Sequence, residues 1–132
     1  MEKKQGYKIL KMAVVASNFS RDLFVDFDNP NLKTSHRLSV NQVNTLPCAI
    51  ITELHFNALV NENSQAQAHI KILTEFVVPE YPPVPVDIFL KTNAPAIVYP
   101  FLREHLFSLI VKAGMKPFLL DTVNFLEFEN PE

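Results

Sequence analysis

The sequence predicts a single α+β domain, spanning residues 1–132, in which antiparallel strands come first and helices packed on one sheet face follow. Several stretches of the first 76 residues alternate apolar and polar side chains, which is typical of strands with one solvent-facing side. After a proline-rich break the apolar residues recur at helical spacing instead. Apolar residues make up 48% of the chain and charged residues 20%, which is enough apolar material for a core.

The strand region divides into three parts. Residues 7–27 are mostly apolar, with several β-branched or aromatic side chains and imperfect alternation, which predicts one long strand with a bulge, or two short strands. A turn is predicted at 28–31, and the alternating residues 36–43 predict a further strand. Residues 48–61 and 65–76 alternate on both sides of a polar four-residue turn, which predicts a β-hairpin.

The last third predicts two helices after an extended segment. Four prolines between residues 79 and 85 exclude a helix or a central strand there. A helix N-cap at Asn93, with Pro95 in the first turn, predicts a long helix that stops at Gly114. A last short helix is predicted over residues 123–128.

The predicted long helix is apolar around most of its circumference. Its interior Pro100 should kink it or delay its start. Its polar residues form one stripe, so the apolar face is wider than one sheet covers. The same helix from another subunit is the natural cover, which predicts a homo-oligomer. The side chains assigned to that interface are Tyr99, Phe101, Leu102, Leu106, Phe107 and Ile110.

Composition excludes several classes of function. The net charge is −2 and no basic patch is present, so nucleic acid is not an expected partner. The one cysteine, Cys48, rules out an intrachain disulfide and, with no signal-peptide pattern, predicts a cytoplasmic protein. The apolar runs are too short to span a bilayer, so no membrane insertion is expected.

No catalytic residue, cofactor or metal site is predicted. The sequence has no phosphate-binding loop or dinucleotide fingerprint, and Cys48 is interpreted as a buried hydrophobe. His55 and His69 fall on the polar face of the hairpin, where they could be cross-strand neighbours. Two such ligands with no nearby cysteine or paired carboxylate make a poor zinc site, so both are interpreted as solvated surface histidines.

Three motifs of the C-terminal third carry a family resemblance. Residues 97–104 read Ile-Val-Tyr-Pro-Phe-Leu-Arg-Glu, residues 114–117 read Gly-Met-Lys-Pro, and residues 123–125 read Val-Asn-Phe. In this order they resemble the opening of the long helix, its Gly-x-x-Pro ending and the start of the second helix in SecB protein-export chaperones. The resemblance covers about residues 93–128. It implies a four-stranded antiparallel sheet, with a long helix and a short C-terminal helix on one face.

The resemblance also implies a function. SecB proteins hold unfolded polypeptides without ATP, for protein export, in apolar grooves of a tetramer built as a dimer of dimers. Residues that follow the long helix would line the groove, with the proline-rich segment as a secondary contributor. The groove candidates are Tyr81, Val84, Phe118, Leu119, Leu120 and Phe125.

Two departures from the family pattern count against SecA, the motor that SecB contacts, as a partner. SecB has a longer second helix and tail, whereas this sequence stops at Glu132. SecB offers SecA an acidic sheet surface, whereas residues 65–71 put Gln, Gln, His and Lys on the matching face. Two other hypotheses remain open: a SecB-fold module dedicated to one partner, such as an antitoxin or phage protein, and a small-molecule-binding α+β domain. The latter predicts a closed apolar pocket with converging polar groups.

Overall fold

The computed structural model describes residues 6–131, which form a sheet followed by a helix. The strands β1 (Lys8–Arg21), β2 (Leu32–Gln42), β3 (Ala49–Val60) and β4 (Asn63–Val77) form one antiparallel sheet in the order β1-β4-β3-β2. This arrangement confirms the predicted α+β class. The predicted domain also includes residues 1–5 and 132, which lie outside the described residues, and its bounds stay a prediction.

Strand β1 is the long, irregular strand that the sequence predicts. Its register against β4 shifts after Ile9 and again after Val14, so it contains two bulges or irregularities. The strand ends earlier than predicted, because residues 22–31 form a loop. The side chains of Asp26 and Asn29 each accept a hydrogen bond from the backbone N–H two residues further on. These local hydrogen bonds take the place of bonds to a neighbouring strand.

Strands β3 and β4 form the predicted hairpin, with a shorter turn than expected. The ladder continues to the Val60–Asn63 pair, so only Asn61 and Glu62 form the turn. Both have positive φ angles, 50° and 70°, as in two-residue type I′ turns. A glutamate therefore occupies the position where such turns prefer glycine.

The core lies between the sheet and the helix that follows it. Even-numbered residues from 50 to 58 on β3 and from 66 to 76 on β4 are buried on the inner face, and the odd-numbered residues between them lie on the outer face. Full burial of one such aliphatic side chain contributes about 1.5–3 kcal/mol. The largest fully buried side chains include Ile50, Leu54, Phe56, Ile70 and Ile72 from the sheet, and Val98, Leu102, Leu106 and Ile110 from the helix.

The long helix is continuous with helical turns that precede Asn93, the predicted N-cap. It consists of α1 (Val86–Ile88), a π-helical turn (Phe89–Asn93) and α2 (Ala94–Lys112), which follow one another without a break. Asn93 is not a capping residue: its backbone is already helical, and its side chain makes no cap hydrogen bond. Pro85 is the residue before the helix, with an extended ψ of 146°.

The π-helical turn is explained by the proline just after it. Pro95 has no N–H and its ring would crowd the preceding turn of an α-helix. The backbone N–H of Ala94 reaches the carbonyl of Phe89, five residues back, which widens the turn. The Thr92 hydroxyl donates to the carbonyl of Ile88 at 2.8 Å.

The end of α2 is close to the predicted position. The helix runs through Pro100 and stops at Lys112, followed by Gly114 with a φ of 72°. The Gly114 N–H donates to the Val111 carbonyl, and the Met115 N–H donates to the Ile110 carbonyl. These two bonds form a Schellman motif, in which glycine is favoured at the left-handed position.

The predicted second helix does not form. Residues 115–131, here called the C-terminal segment, contain neither helix nor strand. The Asn124 side chain accepts the Leu126 N–H, and the Asn124 carbonyl accepts the Glu127 N–H, both at 3.1 Å. This local turn competes with the helical hydrogen bonds that the motif at 123–125 was expected to begin.

Candidate functional site

An apolar groove, the α2-end groove, lies at the end of the sheet where α2 stops. Its volume is about 160 Å³. The loop at 22–31, β2, β3, the last turn of α2 and the C-terminal segment all contribute to its walls. Its main apolar side chains are Phe27, Leu32, Phe56, Ile110, Met115 and Phe118.

Of the six predicted groove residues, Phe118 is the one that lines the α2-end groove. Its ring centroid lies 5.8 Å from that of Phe56, and the two rings are inclined by 34°. The side chain is half-buried, so part of its area stays accessible. The Schellman turn at Gly114 redirects the chain after α2 and carries Phe118 back over the sheet.

Arg21, which the sequence analysis did not single out, holds two walls of the groove together. Its guanidinium donates to the Ala113 carbonyl at 2.6 Å, where a cation is favoured by the helix dipole. It also donates to the Leu23 carbonyl at 3.1 Å and lies 5.1 Å from the centre of the Phe27 ring. Arg21 and Ala113 are 92 residues apart, so no local sequence signal could reveal the contact.

The two candidates from the proline-rich segment lie away from the groove. Val84 is half-buried at the opposite end of the sheet, where its carbonyl accepts the hydroxyl of Tyr7. The Tyr7 ring in turn stacks on Phe89, with centroids 3.7 Å apart. Strand β2 has 11 residues, so the two ends of the sheet are separated by roughly 30 Å. Tyr81, three residues before Val84, is 72% exposed.

The candidates in the C-terminal segment divide into exposed and buried residues. Leu119 is 52% exposed, whereas Leu120 and Phe125 are buried. This placement corrects the expectation for Leu120 and Phe125, because a buried side chain offers no surface to a client. Phe125 instead packs edge-on against Tyr99, whose hydroxyl donates to the Asp121 carbonyl at 2.6 Å. Burial raises the pKa of the Tyr99 phenol, which favours the protonated, donating form.

Four of the six interface candidates are also corrected. Tyr99, Leu102, Leu106 and Ile110 are almost entirely buried within the chain. They form the stripe of α2 that faces its own core, so they have no surface to offer to a second chain. Periodicity alone could not separate this stripe from the outward one, because both are apolar.

The outward face of α2 keeps exposed apolar side chains. Phe101 is 53% exposed and Phe107 is half-buried. Ile97 and Val111, which the sequence analysis did not assign to the interface, are also exposed on this helix. None of the helices within residues 6–131 has the length and apolar character needed to cross a membrane.

Comparisons with known proteins all indicate the same family. The family model described as "Preprotein translocase subunit SecB" matches residues 10–129. The chain is similar to the protein-export protein SecB of Stenotrophomonas maltophilia (strain K279a), with 24% identity over 103 residues, covering 78% of this chain and 60% of that protein. It is similar to the same protein of Xanthomonas euvesicatoria pv. vesicatoria (strain 85-10), at 23% over 103 residues, 78% of this chain and 61% of the relative. The chain thus spans about 60% of the length of these curated relatives.

Among solved structures, the fold is similar to the SecB-like chaperone Rv1957 of Mycobacterium tuberculosis. That structure contains a ChAD peptide from the Rv1956 HigA1 antitoxin. The TM-score is 0.67 at 14% identity, over 89% of this chain and 91% of that one. At this identity the similarity shows the fold, which agrees with the four-stranded sheet and helix described above.

Proposed function

Because the chain belongs to the SecB family, we propose that it is an ATP-independent chaperone that holds unfolded polypeptides, with a role in protein export. The α2-end groove is the observation that carries this proposal, because it offers apolar surface built from several segments. Burying apolar area there would contribute about 25 cal/mol per Å², so each contact is weak and several are needed. We infer a binding protein rather than an enzyme, working in the cytosol, where the buried thiol of Cys48 stays reduced.

The chemistry of the groove suits clients of many sequences. Phe118 supplies a large apolar area with no directional polar contact. It lies in the C-terminal segment, whose backbone has no ladder to keep it in one arrangement, so the wall can adapt to different side chains. Leu119 and Leu126 of the same segment, 52% and 82% exposed, add accessible apolar surface outside the groove.

Tyr81 and Val84 would be a second contact area for the same client. The roughly 30 Å between the two ends of the sheet corresponds to about ten residues of extended chain. An unfolded polypeptide can span that length, whereas a folded domain cannot present its apolar side chains in this way. Two weak contacts on one chain reinforce each other through effective concentration.

We further propose a homo-oligomer, assembled as a dimer of dimers. Ile97, Phe101 and Val111 on the outward face of α2 support a helix-mediated contact, with the half-buried Phe107 beside them. The Arg103 Nε is buried and has no hydrogen-bond acceptor among residues 6–131, so a second chain could complete it. Edge strand β1 is also apolar, with Ile9, Leu10, Val14 and Val15 all exposed, and an uncovered edge of this kind favours pairing with another strand.

A second candidate function is a chaperone dedicated to one partner. The structural neighbour bound to an antitoxin peptide supports this alternative by fold analogy. We do not extend the export proposal to SecA, because the outer face of β4 presents Gln67, His69 and Lys71.

Breadth of binding separates the two candidates. We would measure the affinity of the protein for two unrelated slow-folding polypeptides, each unfolded and folded, with the mass determined by light scattering. Submicromolar binding of both unfolded chains and of neither folded chain supports the general chaperone. Binding of neither unfolded chain rejects it and leaves the dedicated-partner function. A monomeric mass at binding concentrations would reject the proposed oligomer.

The groove itself is tested by Phe118→Asp, with Phe24→Asp as the matched control. Phe24 is 92% exposed and does not line the groove, so the same substitution there changes total aromatic exposure without changing the groove. We expect Phe118→Asp to weaken client binding at least tenfold and Phe24→Asp to weaken it far less. Circular dichroism and a melting curve would check that Phe118→Asp is folded. Equal losses in the two variants would place client binding outside the groove.

A further inference from the structure

Three side chains capable of binding a metal converge on the outer face of the sheet, opposite α2. In the register of β3 and β4, His55 lies directly across from His69. Glu53 is two residues before His55 on β3, and residues two apart on a strand point to the same face. The sheet therefore fixes all three positions through its backbone ladder.

Their polar atoms meet at one point. The imidazole rings of His55 and His69 stack with centroids 4.4 Å apart and an interplanar angle of 14°. The Nε2 of His69 is hydrogen-bonded to the Oε2 of Glu53, and the Nε2 of His55 lies 3.6 Å from the same oxygen. One ligand atom from each of the three residues lies within 4.8 Å of the others.

We propose that Glu53, His55 and His69 form a binding site for a divalent transition-metal ion such as Zn²⁺, with water in the fourth position. Two imidazoles and one carboxylate are a complete three-residue ligand set for tetrahedral Zn²⁺. Ligand bonds of about 2.0–2.1 Å place neighbouring ligand atoms of a tetrahedral site roughly 3.3 Å apart. The separations in this cluster are close enough for small side-chain rotations to reach that geometry.

The surroundings leave room for the ion and its water. The side chains of His55, His69 and Glu53 are 53%, 31% and 24% exposed, so solvent reaches the cluster. A depression of about 370 Å³ lies beside it, lined by both histidines and by polar side chains that include Asn18, Asn57 and Gln67. Amide side chains of this kind can hydrogen-bond a metal-bound water.

Some charges around the cluster favour a bound cation and others oppose it. The Glu53 carboxylate lies against both imidazole rings and its negative charge favours a cation. Lys71 lies across from Glu53, and Arg37 lies across from His55, and both oppose a divalent ion. Affinity should therefore be lower than in a structural zinc site, and removing the charge of Lys71 should raise it.

This site was not found in the sequence because Glu53 was not counted with the histidines. The alternation of the hairpin allows His55 and His69 to be cross-strand neighbours, and the register pairs them. The sequence predicts no metal site, because two histidines with no nearby cysteine or paired carboxylate make a poor one. Glu53 lies on the same face as His55, two residues earlier on β3, and its carboxylate also reaches across to His69 on the neighbouring strand. The site lies on the other face of the sheet from the α2-end groove and does not depend on the proposed function.

The test is a titration of untagged, metal-free protein with Zn²⁺ by calorimetry, and with Co²⁺ by absorption spectroscopy. The ligand variants are Glu53→Gln, His55→Gln and His69→Gln. The control is His36→Gln, an exposed histidine on β2 outside the cluster. All four are checked by circular dichroism, and His55→Gln, at a 53% exposed side chain, is the variant least able to disturb the fold.

We expect one Zn²⁺ per chain, the strong visible bands of four-coordinate Co²⁺, and no change in His36→Gln. Each ligand variant should bind at least about tenfold more weakly, and Lys71→Gln should bind a few-fold more tightly. No binding to the wild type, or binding that survives in all three ligand variants, would overturn the proposal. Loss of binding in His36→Gln alone would overturn it as well.

Discussion

The β3–β4 hairpin and the C-terminal segment are both rich in apolar residues, yet their backbones are held in opposite ways. The hairpin is joined by a continuous ladder from the Ala49–Glu75 pair to the Val60–Asn63 pair, with one register shift. The C-terminal segment is tied at a few points by side chains. The Tyr99 hydroxyl donates to the Asp121 carbonyl, and Asn130 bonds both the N–H and the carbonyl of Val40, at 2.8 and 2.7 Å.

This difference explains where the buried and the accessible apolar side chains lie. A strand that satisfies its own N–H and C=O groups can bury every second side chain completely, as Leu54 and Ile70 do. A segment held only at separate points has no regular alternation of buried and exposed side chains. Exposed residues such as Leu119 and Leu126 therefore lie between the residues that anchor it. The hairpin therefore supplies stability, and the C-terminal segment supplies adaptable surface.

The largest expected difference in stability comes from truncating one apolar side chain in each region. Ile70→Ala should lower the free energy of unfolding by about 3 kcal/mol, because Ile70 is fully buried and a cavity would remain. Leu119→Ala in the C-terminal segment should change it by less than about 0.5 kcal/mol, because Leu119 is 52% exposed. Urea denaturation followed by circular dichroism measures both. Equal losses would show that Leu119 is as firmly packed in the folded protein as Ile70, through contacts with another part of this chain or with a second chain.

The next effect concerns a single anchor of the C-terminal segment. Tyr99→Phe removes the hydrogen bond to the Asp121 carbonyl and should cost about 1 kcal/mol. Because the lost bond holds this segment in place, limited proteolysis should cut within residues 115–131 faster, while the hairpin stays protected. Tyr81→Phe is the matched control, since the Tyr81 side chain is 72% exposed. Unchanged cleavage in Tyr99→Phe would show that the buried side chains of the segment hold it without this bond.

The same contrast decides what the sequence could predict. The hairpin was predicted because its pattern is local: both arms alternate on the two sides of one turn. The end of α2 was predicted for a similar reason, since Gly114 and its neighbours form the Schellman motif by themselves. Residues 123–128 of the C-terminal segment were wrongly predicted as a helix, because the anchors of this segment join residues 22 and 90 apart in the chain. Contacts at such separations leave no periodic signal.

In the α2-end groove too, residues placed by local sequence patterns were predicted and residues placed by long-range contacts were not. Phe118 was predicted from its position after Gly114 and Pro117, and the structure places it in the groove wall. Leu120 was chosen on the same grounds and is 1% exposed, because exposure depends on which way the chain turns over α2. Arg21 was missed, since its role arises only when the end of β1 meets the end of α2.

The hairpin contains a buried hydroxyl that makes no hydrogen bond among residues 6–131. It belongs to Thr74, on the buried face of β4. Thr74→Val replaces this hydroxyl with a methyl group of similar size, so the free energy of unfolding should rise by about 1 kcal/mol. Thr45→Val, at an exposed loop position, is the control and should change stability by less than about 0.5 kcal/mol. A loss of stability in Thr74→Val would mean that the hydroxyl is hydrogen-bonded after all, through water or a second chain.

The smallest expected effect lies in the turn of the hairpin, the one place where its backbone is strained. Glu62 has a φ of 70°, a conformation that is costly for a side-chain-bearing residue and free for glycine. Glu62→Gly creates the Asn-Gly pair preferred by type I′ turns and should raise the free energy of unfolding by about 0.5–1 kcal/mol. Glu62→Ala removes the same charge and keeps the Cβ, so it should give no such gain. If both variants stabilise equally, the effect comes from the charge. A gain in Glu62→Gly alone would locate strain in the hairpin at this residue, and would show that even the regular half of the molecule is not optimised for stability.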